Sequence, residues 1–220
     1  MVNPPSVNLW SSAEHALDYL RRADSIPHRV EGEAALLEFV PPKPERILDL
    51  GTGAGRLLAL VKAGRPDARF VGLDFSPTML ETASQLFSQD PNVTLVNHNL
   101  DHELPPLGKF DVVISSFAIH HLVHERKKTL YEEIFKILVP GGVFCNLEHV
   151  ASASANLHAR FLEAIEWRDE DPSNKLLDLD AQLVWLRQIG FADADCQWKW
   201  RELALLVGMK PSLVSAHNSR

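Results

Sequence analysis

The segment RILDLGTGAG, residues 46–55, constrains the fold of this 220-residue chain more than any other stretch. A short apolar run, Arg46–Leu50, enters a turn with three glycines in five positions: Gly51, Gly53 and Gly55. Residues 55–64 then show helical spacing, with Leu57, Leu58, Leu60 and Val61 apolar. Glycines let a backbone turn sharply and pass close to a ligand. A strand, a glycine turn and a helix, in that order, open a βαβ unit.

The pattern repeats along the chain. Arg69–Asp74 reads as a second strand. Ser76 can cap a helix that has Pro77 in its first turn and runs to about residue 88. Val93–Asn97 is a third strand, and Phe110–Ser116 a fourth with a nearly continuous apolar run. Residues 125–138 form an amphipathic helix that Pro140, Gly141 and Gly142 stop, and 143–150 a fifth strand. Residues 155–166 and 181–189 are helical, the latter ended by Gly190. Residues 193–200 and 202–209 are closing strands joined by a tight turn near Arg201. The alternation predicts an α/β fold, a doubly wound and mostly parallel sheet with helices on both faces. The last two strands are too close for a helical crossover, so they pair antiparallel.

Length and a 45% hydrophobic composition fit one domain with one core. It divides into an N-terminal helical part over 1–43, a core over 44–209 and a loose tail over 210–220. No run approaches the roughly 20 apolar residues of a membrane span. The opening MVNPPSVNLW lacks the pattern of a secretory signal, so a cytoplasmic protein is expected. Cys145 and Cys196 lie far apart in apolar runs and read as buried thiols. The net charge of −7 shows no basic face for a polyanion. The cluster Arg126, Lys127 and Lys128 is followed by Glu132 and Glu133, which suits a solvated helix face. A small-molecule partner is expected, with no nucleic acid and no membrane. Monomer and homodimer both stay open.

In an open α/β sheet, ligands bind beyond the carboxyl ends of the strands. Asp74 ends the second strand, 23 residues after Gly51. A carboxylate there can accept both hydroxyls of an adenosine ribose, and Phe75 can lie against the adenine. A nicotinamide fingerprint needs a third glycine at its sixth position, which here is Arg56. The spacing instead suits a nucleoside carrying an amino-acid tail.

Together ILDLGTGAG, FVGLDFSPTML, FDVVISSFAIHHL and LVPGGVFCNLEHV resemble the class I S-adenosylmethionine-dependent methyltransferases over residues 44–150. The resemblance implies a seven-stranded sheet ending in an antiparallel hairpin, and an N-terminal helical cap over the cofactor. It implies S-adenosylmethionine as cofactor and S-adenosylhomocysteine as product. It sets Gly51, Thr52 and Gly53 against the methionine portion, with Asp49 nearby, and Phe75 and Met79 beside the adenine. The usual acid after the third strand is Asn99 here, a departure that leaves Asn99, the Leu100 backbone or Asp101 to meet the adenine edge. Ser115 or Ser116, ending the fourth strand, meets the methionine amine, and Ser116 is the stronger candidate. Arg29 is a candidate partner for the methionine carboxylate.

Acceptor chemistry belongs after the fourth and fifth strands, where His121, Glu148 and His149 can orient or deprotonate a nucleophile. His120 and His124 stand at helical spacing, with His28 in reach from the cap, yet no HExxH or Cys/His ligand set is present, so no metal is expected. Trp198 and Trp200 share a strand face, as core residues or as an aromatic wall; Trp10 and Trp167 belong to the variable cap. The expected reaction is methyl transfer to a small molecule. Two alternatives remain: chemistry like that of carboxy-S-adenosylmethionine synthases, which the C-terminal layout faintly resembles, and a catalytically silent cofactor-binding regulator.

Overall fold

The computed structural model describes residues 12–14 and 26–212. Trp10, most of the expected helical segment before Ile26, and the end of the expected tail lie outside them. The element order is α1 (Arg29–Phe39), β1 (Arg46–Leu50), α2 (Arg56–Gly64), β2 (Arg69–Asp74), α3 (Pro77–Leu86), β3 (Val93–Asn97) and β4 (Phe110–Ser116). There follow a 3-10 turn (Ile119–His121), α4 (His124–Ile137), β5 (Leu138–His149), α5 (Ala155–Ala164), α6 (Leu179–Ile189), β6 (Ala192–Trp200) and β7 (Leu203–Met209).

The strands form one seven-stranded sheet in the order β3-β2-β1-β4-β5-β7-β6. β1 to β5 run parallel, and β7 pairs antiparallel with both β5 and β6. The chain order reverses between β1 and β4, the switch point where such sheets bind ligands.

Strand alternation builds both core layers. Ile47, Val112, Ile114, Leu147 and Leu205 face α1, α2 and α5, packing on Leu36, Leu58 and Phe161. Leu48, Val113, Phe144 and Leu206 face α4 and α6, packing on Leu130, Ile134 and Leu186. The sheet is thereby buried on both faces, which explains the continuous apolar run of β4.

β5 begins at Leu138, five residues before the expected start at Val143. Leu138 pairs with Phe110, the Gly141 amide donates to the Lys210 carbonyl and the Lys210 amide to the Gly142 carbonyl, so the strand continues past an exposed Pro140. An irregular register between Phe110 and Val112 absorbs the extra residues. Cys145 is buried as expected, whereas Cys196 is half-buried on β6, an outer strand of the sheet.

The turn after β1 depends on Gly51. Its φ is +71°, and an added Cβ would come 2.2 Å from the Ala118 Cβ. The β1 and β4 loops therefore touch only because residue 51 has no side chain. Gly51→Ala is expected to lower stability by at least about 1–2 kcal/mol in chemical denaturation, from the left-handed backbone alone. A variant as stable as the parent would contradict this close approach.

Candidate active site

At the carboxyl end of β1, Asp49 is buried and Thr52 Oγ1 donates to its Oδ2 at 2.7 Å. Burial pushes the Asp49 carboxyl up to about 7, against the Thr52 bond. At the end of β2, Asp74 accepts the Gly53 amide on Oδ2 and the Ser76 amide on Oδ1, each at 2.9 Å. Burial raises its pKa as well, opposed by these loop amides. One carboxylate thus joins the β1 and β2 loops, and its four lone pairs outnumber the backbone amides that it accepts.

Phe75 is half-buried beside it, and Met79 is buried in the first turn of α3. Asn99 Oδ1 accepts the Asp101 amide at 3.0 Å, which closes a turn around the buried Leu100. Asp49 Oδ1, Ser76 Oγ and Ser116 Oγ are buried without a hydrogen-bond partner among the described residues. Such atoms call for a polar ligand, and a nucleoside with an amino-acid tail fits this donor and acceptor set.

Arg29 is buried rather than solvated. Its Nε donates to Glu33 Oε1 at 2.8 Å, and Arg56 Nε reaches the same oxygen at 2.8 Å. Burial works against the Glu33 charge, but the bonds from Arg56 and Arg29 hold its pKa low. The Arg29 guanidinium also lies 5.3 Å from the centre of the Phe117 ring, just past β4. Arg29 is thus close to the end of β4, held by α1 and α2.

The three acceptor-rim candidates gather around His120, whose ring lies 4.1 Å from that of His121 and 5.7 Å from that of His149, but each takes its own hydrogen-bond partner. Adjacent strand residues point to opposite faces, so Glu148 and His149 part. Glu148 turns toward α4 and α6. His120 Nδ1 meets its Oε1 at 2.8 Å, and Asn146 Nδ2 donates to its Oε2 at 3.2 Å. Asn146 also contacts Tyr131, whose hydroxyl donates to Gln182 Oε1 at 2.6 Å. Burial raises the Glu148 pKa, with Lys127 and Asn146 opposing it. Burial likewise drives the His120 pKa well below its usual value, with the nearby His149 and Lys127 adding to the shift.

His149 turns toward α5, where its Nε2 lies 2.8 Å from Glu202 Oε2. His121 takes a third partner, Ser173 Oγ, at 3.0 Å from its Nδ1. His28 and His124 do not join His120: His28 pairs with Glu31, and His124 Nε2 lies 3.2 Å from the Leu176 carbonyl.

His120 is the residue that sequence reasoning passed over in favour of its neighbour. Periodicity cannot tell which of two adjacent histidines in a 3-10 turn is buried. The acid two residues beyond Asn146 on β5, Glu148, was the available signal. The basic cluster also differs from expectation. Lys128 is exposed, but Lys127 is fully buried and its Nζ donates to the carbonyls of His120 and Lys175. Burial pulls its pKa down to about 8. Arg126 donates to the carbonyls of Leu100 and His102. Carbonyls left over by the turns recruit these cations inward.

Lys127 also fastens residues 166–178 across the 3-10 turn, helped by the Lys175 amide, which donates to the His120 carbonyl at 2.8 Å. Trp198 packs on α1, where a Cβ on Gly32 would strike its ring, and Trp200 lies against His28 and Phe161. Trp167 packs on the same core layer.

A methyltransferase-domain family model matches residues 47–142. The chain is 28% identical over 186 residues to a carboxy-S-adenosyl-L-methionine synthase of Desulforapulum autotrophicum, covering 75% of this chain and 74% of that protein. It is 34% identical over 116 residues to a trans-aconitate 2-methyltransferase of Methylobacterium radiotolerans, covering 52% of this chain and 42% of that protein. This chain therefore spans less than half the length of that relative. The N-methyltransferase NodS of Bradyrhizobium japonicum, solved with S-adenosyl-L-homocysteine, superposes with a TM-score of 0.70 at 16% identity, covering 94% of this chain and 100% of that one. At that identity the likeness concerns the fold. The domain match and these relatives support an S-adenosylmethionine-dependent methyltransferase, an enzyme with S-adenosylmethionine as its cofactor. Among the described residues no helix is long and apolar enough to cross a membrane.

The histidines of the 3-10 turn make stability depend on pH. Burial, then the nearby His120, lowers the His121 pKa well below 6.5. Its neutral form therefore contributes stability that is whole above about 6.5 and is lost as pH falls toward the lowered folded value. Urea denaturation of His121→Gln should show a smaller loss on acidification from pH 7.5 to 5.5 than the parent, by at most about 1.4 kcal/mol per pH unit. Identical pH profiles would mean that His121 protonates as freely folded as unfolded.

Proposed function

We propose that this enzyme methylates a small molecule whose nucleophile sits over the carboxyl ends of β4 and β5, beside His120. The observation that carries this reading is the buried His120–Glu148 pair at 2.8 Å. S-adenosylmethionine supplies an electrophilic methyl group on a sulfonium. The chain's own residues bind it, orient the acceptor and take up its proton. Glu148 holds Nδ1 of His120, which leaves Nε2 to accept a proton from a hydroxyl or ammonium acceptor. Burial keeps His120 neutral at neutral pH, so its imidazole Nε2 is free of a proton to begin with. The Asn146–Tyr131–Gln182 chain fixes Glu148, and His121 with Ser173 orients the acceptor. His149, an earlier candidate base, has its Nε2 engaged by Glu202 and supports the rim from the other face of β5.

For the cofactor, Asp74 takes the ribose hydroxyls, and Phe75 and Met79 flank the adenine. Asn99 and the Leu100 backbone meet its edge. The Gly51, Thr52 and Gly53 backbone, ordered by Asp49, lies along the methionine portion. Ser116 meets the amine, and Arg29 the carboxylate. The orphaned Asp49 Oδ1 and Ser116 Oγ support this assignment. The core over 44–209 and the helical part before it act as one domain around this site. Similarity to a trans-aconitate methyltransferase supports a small organic acceptor.

A second reading, carboxylation of the cofactor itself, is favoured by the synthase that matches 75% of this chain. Mass spectrometry of nucleosides retained by the purified protein separates the two: carboxylated S-adenosylmethionine supports the synthase reading, and S-adenosylhomocysteine formed with an acceptor supports methyl transfer.

Asp74→Ala should weaken S-adenosylmethionine binding by about 1–3 kcal/mol, because hydrogen bonds to a charged group are lost. Unchanged calorimetric affinity in a folded variant would remove Asp74 from the site. With an acceptor found by screening for S-adenosylhomocysteine release, His120→Ala should lower kcat by about 10²–10⁴-fold. Its affinity for S-adenosylhomocysteine should stay within about twofold, since the pair serves the acceptor. Full turnover in that variant would rule out the base.

A further inference from the structure

His149 lies in a cluster to which the methyl-transfer reading gives no chemical step. Among the described residues, His149, Glu170 and Glu202 form a group whose donor atoms all lie within 4.8 Å of one another. They come from the end of β5, the 166–178 segment and the β6–β7 turn, with His158 of α5 at the outer edge. His149 Nε2 is 2.8 Å from Glu202 Oε2 and 4.0 Å from Glu170 Oε2. His158 Nε2 is 3.5 Å from Glu170 Oε2, and its Nδ1 is 3.1 Å from Glu202 Oε1.

The two carboxylates are held differently. Glu202 is almost fully buried and is also bonded by Ser152. Glu170 Oε1 accepts the Asp171 amide and the Asn174 side chain, which fixes the carboxylate from behind. Its Oε2 is buried and accepts no hydrogen bond among the described residues. This oriented carboxylate oxygen faces the imidazoles of His149 and His158, a donor set of the kind that can hold a cation. Donors bound to one zinc ion at about 2.0 Å stand about 3.3 Å apart, a value that the separations from His149 bracket.

We propose that His149 Nε2, Glu170 Oε2 and a Glu202 oxygen bind one divalent cation of the zinc type, with His158 beside its open position. Mixed imidazole and carboxylate donors suit such borderline ions better than magnesium or calcium, which take oxygen. Two ligating carboxylates supply two negative charges, which a divalent ion balances. The ion ties the 166–178 segment to β5 and to the β6–β7 turn, beside the acceptor rim. The absence of an HExxH pattern does not bear on it, because the three ligands come from three separate segments. The proposal goes beyond the methyl-transfer reading and does not depend on it.

The test is Zn²⁺ binding by chelator-treated full-length protein, measured by competition with a chromophoric chelator. The expected result is one equivalent per chain, with affinity weakened by at least about tenfold in both Glu202→Gln and Glu170→Gln. Circular dichroism checks each fold. Glu170, a quarter exposed, remains informative if the buried Glu202 variant does not fold. No binding by the parent, or unchanged affinity in either folded variant, overturns the site. Calorimetry with S-adenosylhomocysteine on the same metal-free protein reads the cofactor site separately, so failure of one reading is distinct from failure of the other.

Discussion

The structure depends on carboxylates that the sheet drives into its own ligand edge and the backbone then fixes. Asp74 bonds the amides of Gly53 and Ser76, and Asp49 is held by Thr52. Burial without partners would disfavour both charges. The loop amides and the Thr52 hydroxyl make them tolerable and at the same time shape the turns after β1 and β2. Gly51 completes the arrangement by letting the β4 loop come into contact. The same interactions that stabilise the loops therefore leave oxygen lone pairs and unbonded hydroxyls at the switch point of the sheet.

A second polar system lies one strand further along. Lys127 on α4 reaches carbonyls of the 3-10 turn and of the 166–178 segment. Glu148, Asn146, Tyr131 and Gln182 run as a buried chain from β5 to α6. These groups sit inside an otherwise apolar layer, where an unpaired member costs more than it would in water. The chain fixes His120 at the end of β4 and ties its position to the covering segment. Rigidity at this rim comes from hydrogen bonds, whereas the sheet beneath is held by apolar packing.

The sheet was legible because its causes are local. Strand runs such as FDVVISS and the glycine turn state their own conformation, and crossover lengths fix parallel pairing. Asp74 was legible for the same reason: it ends a strand at a fixed distance from the glycines. What was not legible depends on side-chain direction across several elements. His120 and His121 are adjacent, and only the contact with Glu148 separates their roles. Lys127 looked solvated because its neighbours are charged, yet orphaned carbonyls draw it inward. Glu202 and Glu170 carried no pattern at all, since their partners lie in distant segments. Pro140, Gly141 and Gly142 follow the end of α4 as expected, but β5 already begins at Leu138, because a proline on an exposed stretch leaves pairing intact.

The most direct test of the central claim is a crystal structure of the protein with S-adenosylhomocysteine. The account predicts both ribose hydroxyls on the Asp74 carboxylate, the amino-acid tail along Gly51 and Gly53, and the sulfur facing the His120 side of the β4 loop. A ligand bound elsewhere, or Asp74 bonded only to the amides of Gly53 and Ser76 in the complex, would contradict it.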